Sequence, residues 1–205
     1  MAGRVRRLEG KASLVSGGEK ELAGRIRRGD PGAFDAFFDR YAPRLVGYLA
    51  RMVGDEAAAE DLFQETMIRV YRNIGGYREK GAFRSWVYRI ATNAALSEIR
   101  HRRLAPQTVE PAILHSVKAE GPSPLDEVEK KERLERLRSG IGALPEEHRA
   151  VLLLRVQGEM DIRDIARTLG IPEGTVKSRM HHAVRKLRHY MEVPSALPEE
   201  ERRHG

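Results

Sequence analysis

Over 205 residues, 33% of the side chains are charged, 6% are aromatic, none is cysteine, and the formal net charge is +7. That length suits one or two small domains with modest, mainly aliphatic cores. The absence of cysteine excludes disulfides, thiolate metal sites and thiol redox sensing within the chain. The positive balance leaves two options open, a polyanionic partner such as nucleic acid or an inert basic surface.

Residues 1–20 are polar and glycine-rich and read as a flexible tail. Their basic residues are not followed by an apolar run, so they do not form a secretory signal. No segment approaches the roughly 20 apolar residues needed to span a bilayer. The expectation is a cytoplasmic protein with no membrane insertion.

Helical periodicity then takes over, without convincing strand alternation. In "GDPGAFDAFFDRYAPRLVGYLARMVG", Asp30 is placed to cap a helix with Pro31 at its first position. Phe34, Phe37, Phe38, Tyr41, Leu45, Tyr48, Leu49 and Met52 recur at helical spacing, and Pro43 predicts a kink or a break. Gly54 ends that segment and Asp55 caps the next. There Ala59, Leu62, Phe63, Thr66, Met67, Val70 and Ile74 form the stripe to be buried. After the loop "GGYREKGAF", a third helix runs inward through Val87, Ile90, Ala91 and Ala94 and ends in Arg100, Arg102 and Arg103.

The pattern stops at Leu104. Four prolines and no sustained period mark residues 104–124 as an extended linker, and the stretch leans acidic. Helical patterning returns at Ser123-Pro124 and runs through Leu134, Leu137 and Ile141. It restarts at Pro145, and again behind Asp161, which has Asp164 three residues on. A final helix spans about Pro172 to Met191, and residues 194–205 read as a second tail. The fold class expected is all-α, two helical domains (21–103 and 125–193) joined by the linker.

The second domain contains a helix-turn-helix. Ile162, Ile165, Ala166 and Leu169 form one stripe, Gly170 the turn and Ile171 the plug; Val176, Met180, Ala183 and Leu187 continue the stripe. In this layout the second helix enters the major groove. Its opposite face carries Thr175, Lys177, Ser178, Arg179, His181, His182, Arg185 and Lys186, side chains that bond base edges or phosphates. A metal site is a poor fit for the histidines. His181 and His182 are neighbours and point about 100° apart, with His189 about 10 Å along the helix from His182. No metal and no cofactor are expected.

"DLFQETMIRVYRNI", with the glycine-containing loop and "FRSWVYRIATNAALSEIRHRR" after it, resembles region 2 of the sigma-70 family. It is most similar to the family's extracytoplasmic-function (ECF) group. "LPEEHRAVLLLRVQGEMDIRDIARTLGIPEGTVKSRMHHAVRKLR" resembles region 4 of the same group. The two blocks cover about 34–103 and 128–190, in the family's order.

The resemblance implies a promoter-selecting RNA polymerase subunit, not an enzyme. Its partners would be core polymerase (the β′ clamp helices and the β subunit), promoter DNA and an anti-sigma factor. On the second helix, Asp61, Gln64, Glu65, Ile68 and Arg72 share the face opposite the core stripe. Their pattern alone fits a solvated face as well as a partner surface; the resemblance implies the polymerase contact.

Tyr77, Arg78, Lys80, Phe83, Trp86 and Asn93 fall on the loop and the start of the third helix. Aromatics there suit either an unpaired base or the core. The resemblance implies capture of a −10 base, with Arg100, Arg102 and Arg103 on phosphates. It also implies that Lys177, Ser178, His181 and His182 read the −35 element, with Thr175, Arg179, Arg185 and Lys186 on phosphates or as supports. Two rivals remain: a response-regulator-type transcription factor, which needs an α/β phospho-acceptor domain that the N-terminal half does not suggest, and a polymerase-binding adaptor or anti-sigma protein, against which the basic recognition helix argues.

Overall fold

A computed structural model describes residues 18–78, 83–104 and 124–192. The linker expected at 104–124 and the tails at 1–20 and 194–205 fall largely outside these residues, as does Lys80. Among the described residues every regular element is a helix.

Helix α1 (18–27) begins inside the expected tail and buries Glu19, Leu22, Ala23 and Ile26. Gly29 turns the chain at φ 78°, a left-handed conformation that suits glycine. The Asp30 carboxylate then accepts the Ala33 N–H to cap α2 (Pro31–Val53). Of the kink or break expected at Pro43, the break is absent: α2 runs through it. An interior proline removes one backbone bond. Burial of Phe37 and Tyr41 before it, and of Leu45, Tyr48, Leu49 and Met52 after it, holds both halves of the helix to the same core.

Gly54 at φ 76° closes α2, and the Asp55 carboxylate accepts the Ala58 N–H to open α3 (Glu56–Asn73). The seven residues of the expected α3 stripe are all buried. A 3₁₀ turn, Ile74–Gly76, leads toward α4 (Phe83–Leu104). The expected inner face of α4 is present, with Ile90 half-buried. A second face is buried too: Ser85, Tyr88, Thr92 and Ala95. The Tyr48 and Thr92 hydroxyls bond each other at 2.7 Å, and Thr92 also donates to the Tyr88 carbonyl.

The second half comprises α5 (Pro124–Gly142), α6 (Glu146–Val156), α7 (Ile162–Leu169) and α8 (Glu173–Glu192). Helix α6 buries five residues in succession, Ala150 to Leu154, because α8 lies on one side of it and α2 on another. Helices α5 and α8 cross closely at Gly140, where a Cβ would fall 2.8 Å from a Leu187 methyl. Asp161 caps α7 by accepting the Asp164 N–H at 2.7 Å, and Gly170 at φ 67° makes the helix-turn-helix bend.

The two halves share one core. Ala150, Val151, Leu153, Leu154, Met160, Ile165 and Val176 belong to the same buried cluster as the residues of α1 to α4. Arginines cross the boundary and satisfy helix C-terminal carbonyls on the other side. Arg149 of α6 donates to Met52 O at the end of α2, at 2.5 Å. Arg89 of α4 donates to the Arg167 and Thr168 carbonyls at the end of α7. Arg84 of α4 donates to Gly158 O at 3.3 Å and is held by the buried Glu19 carboxylate at 2.9 Å.

Candidate nucleic-acid interface

The recognition helix α8 presents its groove-facing residues unevenly. Lys177, Ser178, His181, Arg185 and Lys186 are exposed, and Thr175 is half-buried. Arg179 is turned toward α6 and paired with Glu147. His182 also leans inward; its ring meets His148 of α6 edge-on at 6.1 Å, and Arg185 lies 3.3 Å from its Nδ1. Burial first, then the charges of Arg179, His182 and Lys186, holds His148 below the ordinary histidine pKa. The eight residues expected on one reading face thus split. Five project outward, and Arg179 and His182 bridge the recognition helix to its support. Among the described residues no group of three or more potential ligands is arranged to hold a metal ion.

On α4 the sequence expectation needs correction for the aromatics. Tyr77 and Phe83 are core residues, 9% and 2% exposed. Phe83 packs on Phe37 at 5.5 Å and on Tyr41 at 6.1 Å, so neither it nor Tyr77 offers a free ring to a base. Trp86 is half-buried and stacks on Phe83 at 5.8 Å, with its other contact to Tyr77 at 5.1 Å. Arg78 and Asn93 are exposed. The basic end of α4 also divides. Arg102 bonds Glu98 and the cap residue Asp55, Arg103 makes a two-pronged bond to Glu146 of α6, and Arg100 reaches only the Leu96 carbonyl of its own helix.

Opposite the buried stripe of α3, Asp61, Gln64, Ile68 and Arg72 are exposed, with Ile68 at 51%. Glu65 is half-buried and paired with Arg69 at 2.6 Å. Sequence reasoning missed Tyr71, 65% exposed one turn from Ile68, and Phe38 of α2, 43% exposed against Phe63. The helical spacing from Ile68 to Tyr71 could have found the first. Phe38 belongs to the stripe expected in the core of α2 but lies at its solvent edge. A third apolar surface is the groove between α5 and α8, lined by Leu134, Leu137, Val184, Leu187 and Met191.

The model for sigma-70 region 2 matches residues 37–104, and the model for sigma-70 region 4 matches 134–187. The RNA polymerase sigma-H factor of Pseudomonas aeruginosa is 35% identical, over 80% of this chain and 89% of its own length. The ECF RNA polymerase sigma factor SigW of Bacillus subtilis is 32% identical, over 82% and 94%. This chain belongs to the ECF group of the sigma-70 family. It is a sigma factor, a subunit that directs RNA polymerase to promoters. Among solved structures, CnrH in complex with the cytosolic domain of CnrY shares the fold, with a TM-score of 0.66 at 21% identity over 86% of this chain and 99% of that one.

Proposed function

We propose that this sigma factor works without catalytic chemistry of its own, in the cytoplasm, as a dissociable subunit of core polymerase. Region 2 comprises α1 to α4 and region 4 comprises α5 to α8. Asp61, Gln64, Glu65, Ile68 and Arg72, joined by Tyr71, dock region 2 on the β′ clamp helices. The apolar α5–α8 groove meets the β subunit. Lys177, Ser178, His181 and His182 read the −35 duplex, with Thr175, Arg185 and Lys186 on or near phosphates and Arg179 as a support.

For the −10 strand we assign Trp86, Asn93, Arg78, Arg100 and Arg103, with Lys80 on the adjoining loop. Tyr77 and Phe83 form the floor under Trp86. Trapping extruded bases shifts the equilibrium toward melted DNA by differential binding alone, so no reacting group is needed. A protein regulator of the anti-sigma kind is proposed as a further partner.

The observation that carries the reading is the outward row of Lys177, Ser178 and His181 on the second helix of a helix-turn-helix, all three exposed. The test is reconstitution with core polymerase. The chain is expected to support initiation from a cognate promoter. Ile68→Ala is expected to weaken core capture, and Lys177→Ala to reduce binding to the −35 duplex by about 1–3 kcal/mol without a matching loss on random duplex. Core capture indifferent to Ile68→Ala sinks the polymerase assignment; equal loss on random duplex makes Lys177 a phosphate contact.

A further inference from the structure

Arg103 of region 2 and Glu146 of region 4 meet fork to fork. Nη1 donates to Oε1 at 2.9 Å and Nη2 to Oε2 at 2.8 Å. This is the geometry with which guanidinium groups also grip two phosphate oxygens. The Glu146 carboxyl is held below the usual carboxylate range, chiefly by the bond from Arg103. Arg103 is 63% exposed, so a competing anion can reach it from solvent.

The arrangement holding this pair cannot persist on a promoter. The −35 and −10 elements lie about 25 base pairs apart by name, which is about 85 Å at 3.4 Å per base pair. A body of this chain's described size has a radius of gyration of roughly 15 Å. Regions 2 and 4 therefore have to part to engage both elements. Leu104 and Pro124 can separate by up to roughly 70 Å when the residues between them are extended. Parting breaks the Arg103–Glu146 bonds and frees the Arg103 fork.

We propose that Glu146 stands in for a promoter phosphate on Arg103, so that closure of the two halves and binding of the −10 strand compete for the same guanidinium. The proposal rests on the reading of Arg103 as a −10 phosphate contact. Glu146 thereby biases the free protein against single-stranded DNA. Its effect is partial, because the shared core and the bonds from Arg84, Arg89 and Arg149 also hold the halves together.

The natural chain has no cysteine, so Glu60→Cys on α3 and His189→Cys on α8 allow a fluorescent pair to be placed on the full-length protein. The DNA probe is a single-stranded oligo(dT), because phosphate contacts carry no sequence information. Saturating oligo(dT) is expected to lower transfer efficiency in the otherwise natural protein. Glu146→Gln is expected to tighten oligo(dT) binding about three-fold, the scale of an exposed ion pair. The log–log salt slope should stay where it is, because in both proteins the bound state has Arg103 on a phosphate. Adding Arg103→Ala to Glu146→Gln should reverse the gain in affinity and flatten the salt slope by about 0.7, one phosphate contact fewer on a single strand.

The proposal is overturned if oligo(dT) binds with no change in transfer efficiency, or if Glu146→Gln leaves the affinity where it was. The phosphate reading fails on a different measurement: Arg103→Ala then leaves the salt slope of Glu146→Gln unchanged.

Discussion

Helices α4 and α8 are the two basic helices of this sigma factor, and their polar side chains behave differently. On α4, Arg84 is held by Glu19, Arg89 by the carbonyls ending α7, Arg102 by Asp55 and Glu98, and Arg103 by Glu146. Arg100 alone among them bonds only its own helix. On α8, Lys177, Ser178, His181 and Lys186 stand in solvent, and Arg179 is the basic residue paired with a carboxylate. Arginines thus hold one helix in place, while lysines, a serine and a histidine on the other stand available. Net charge along a sequence measures the supply of cations, not how many remain free for DNA.

The sharpest way to break this comparison is at Glu19. Its carboxylate is 5% exposed and its partner Arg84 is 18% exposed. Removing one member of a buried pair leaves the other charge desolvated and unpaired, which costs about 3–5 kcal/mol. Glu19→Ala is therefore expected to lower the denaturant midpoint strongly, and Arg100→Ala to leave it within about 0.5 kcal/mol of the starting protein. Equal midpoints would mean that Arg84 is no more committed than Arg100.

How far such commitments can be read in advance differs from element to element. Asp30-Pro31, Gly54-Asp55, Asp161 and Gly170 mark helix ends by local chemistry, and each cap or turn is where that chemistry puts it. The α3 stripe was equally legible, because one amphipathic face meets one core. The second buried face of α4 and the wholly buried run of α6 were not. Periodicity reports one apolar face, whereas these helices have neighbours on more than one side. Tyr77 and Phe83 were misjudged for a related reason: an aromatic beside a glycine-rich loop has the same sequence signature whether its ring faces a base or a core. The crossing arginines were the least legible. Arg84, Arg89 and Arg149 bond backbone carbonyls far away in the chain, and a carbonyl acceptor leaves no trace in residue type.

A smaller effect is expected at Asp55, which joins the two roles by capping α3 and holding Arg102. Its carboxyl pKa lies below the ordinary aspartate value, first through the Ala58 N–H and then, against the opposing effect of burial, through Arg102. A depressed folded-state pKa contributes stability that is fully present above the unfolded value, about 3.9, and is lost as pH falls through the folded value. Asp55→Ala should cost about 1 kcal/mol near neutral pH. The gap between variant and starting protein should narrow as pH is lowered below about 4, measured as unfolding free energy against pH. A gap that stays constant through that range would show that the Asp55 charge is not what secures the cap or Arg102.

The smallest effect tests the exception on the recognition helix. Arg179 is drawn toward α6 by Glu147, whose side chain is 58% exposed. At that exposure the pair is worth about 0.5 kcal/mol. If Arg179 is a support, as its orientation implies, Glu147→Ala loosens the seating of α8 slightly. The variant should then lose about 0.5 kcal/mol of stability with an unchanged salt slope on duplex DNA. If the released guanidinium swings to a phosphate instead, the slope steepens by about 0.9, one more counterion set free. The second result would move Arg179 into the free set and make Glu147 the counterpart of its α6 neighbour Glu146, each carboxylate covering an arginine, on α8 and on α4, that DNA can claim. The first leaves the contrast between the two helices as drawn, with Arg179 belonging to the framework of region 4.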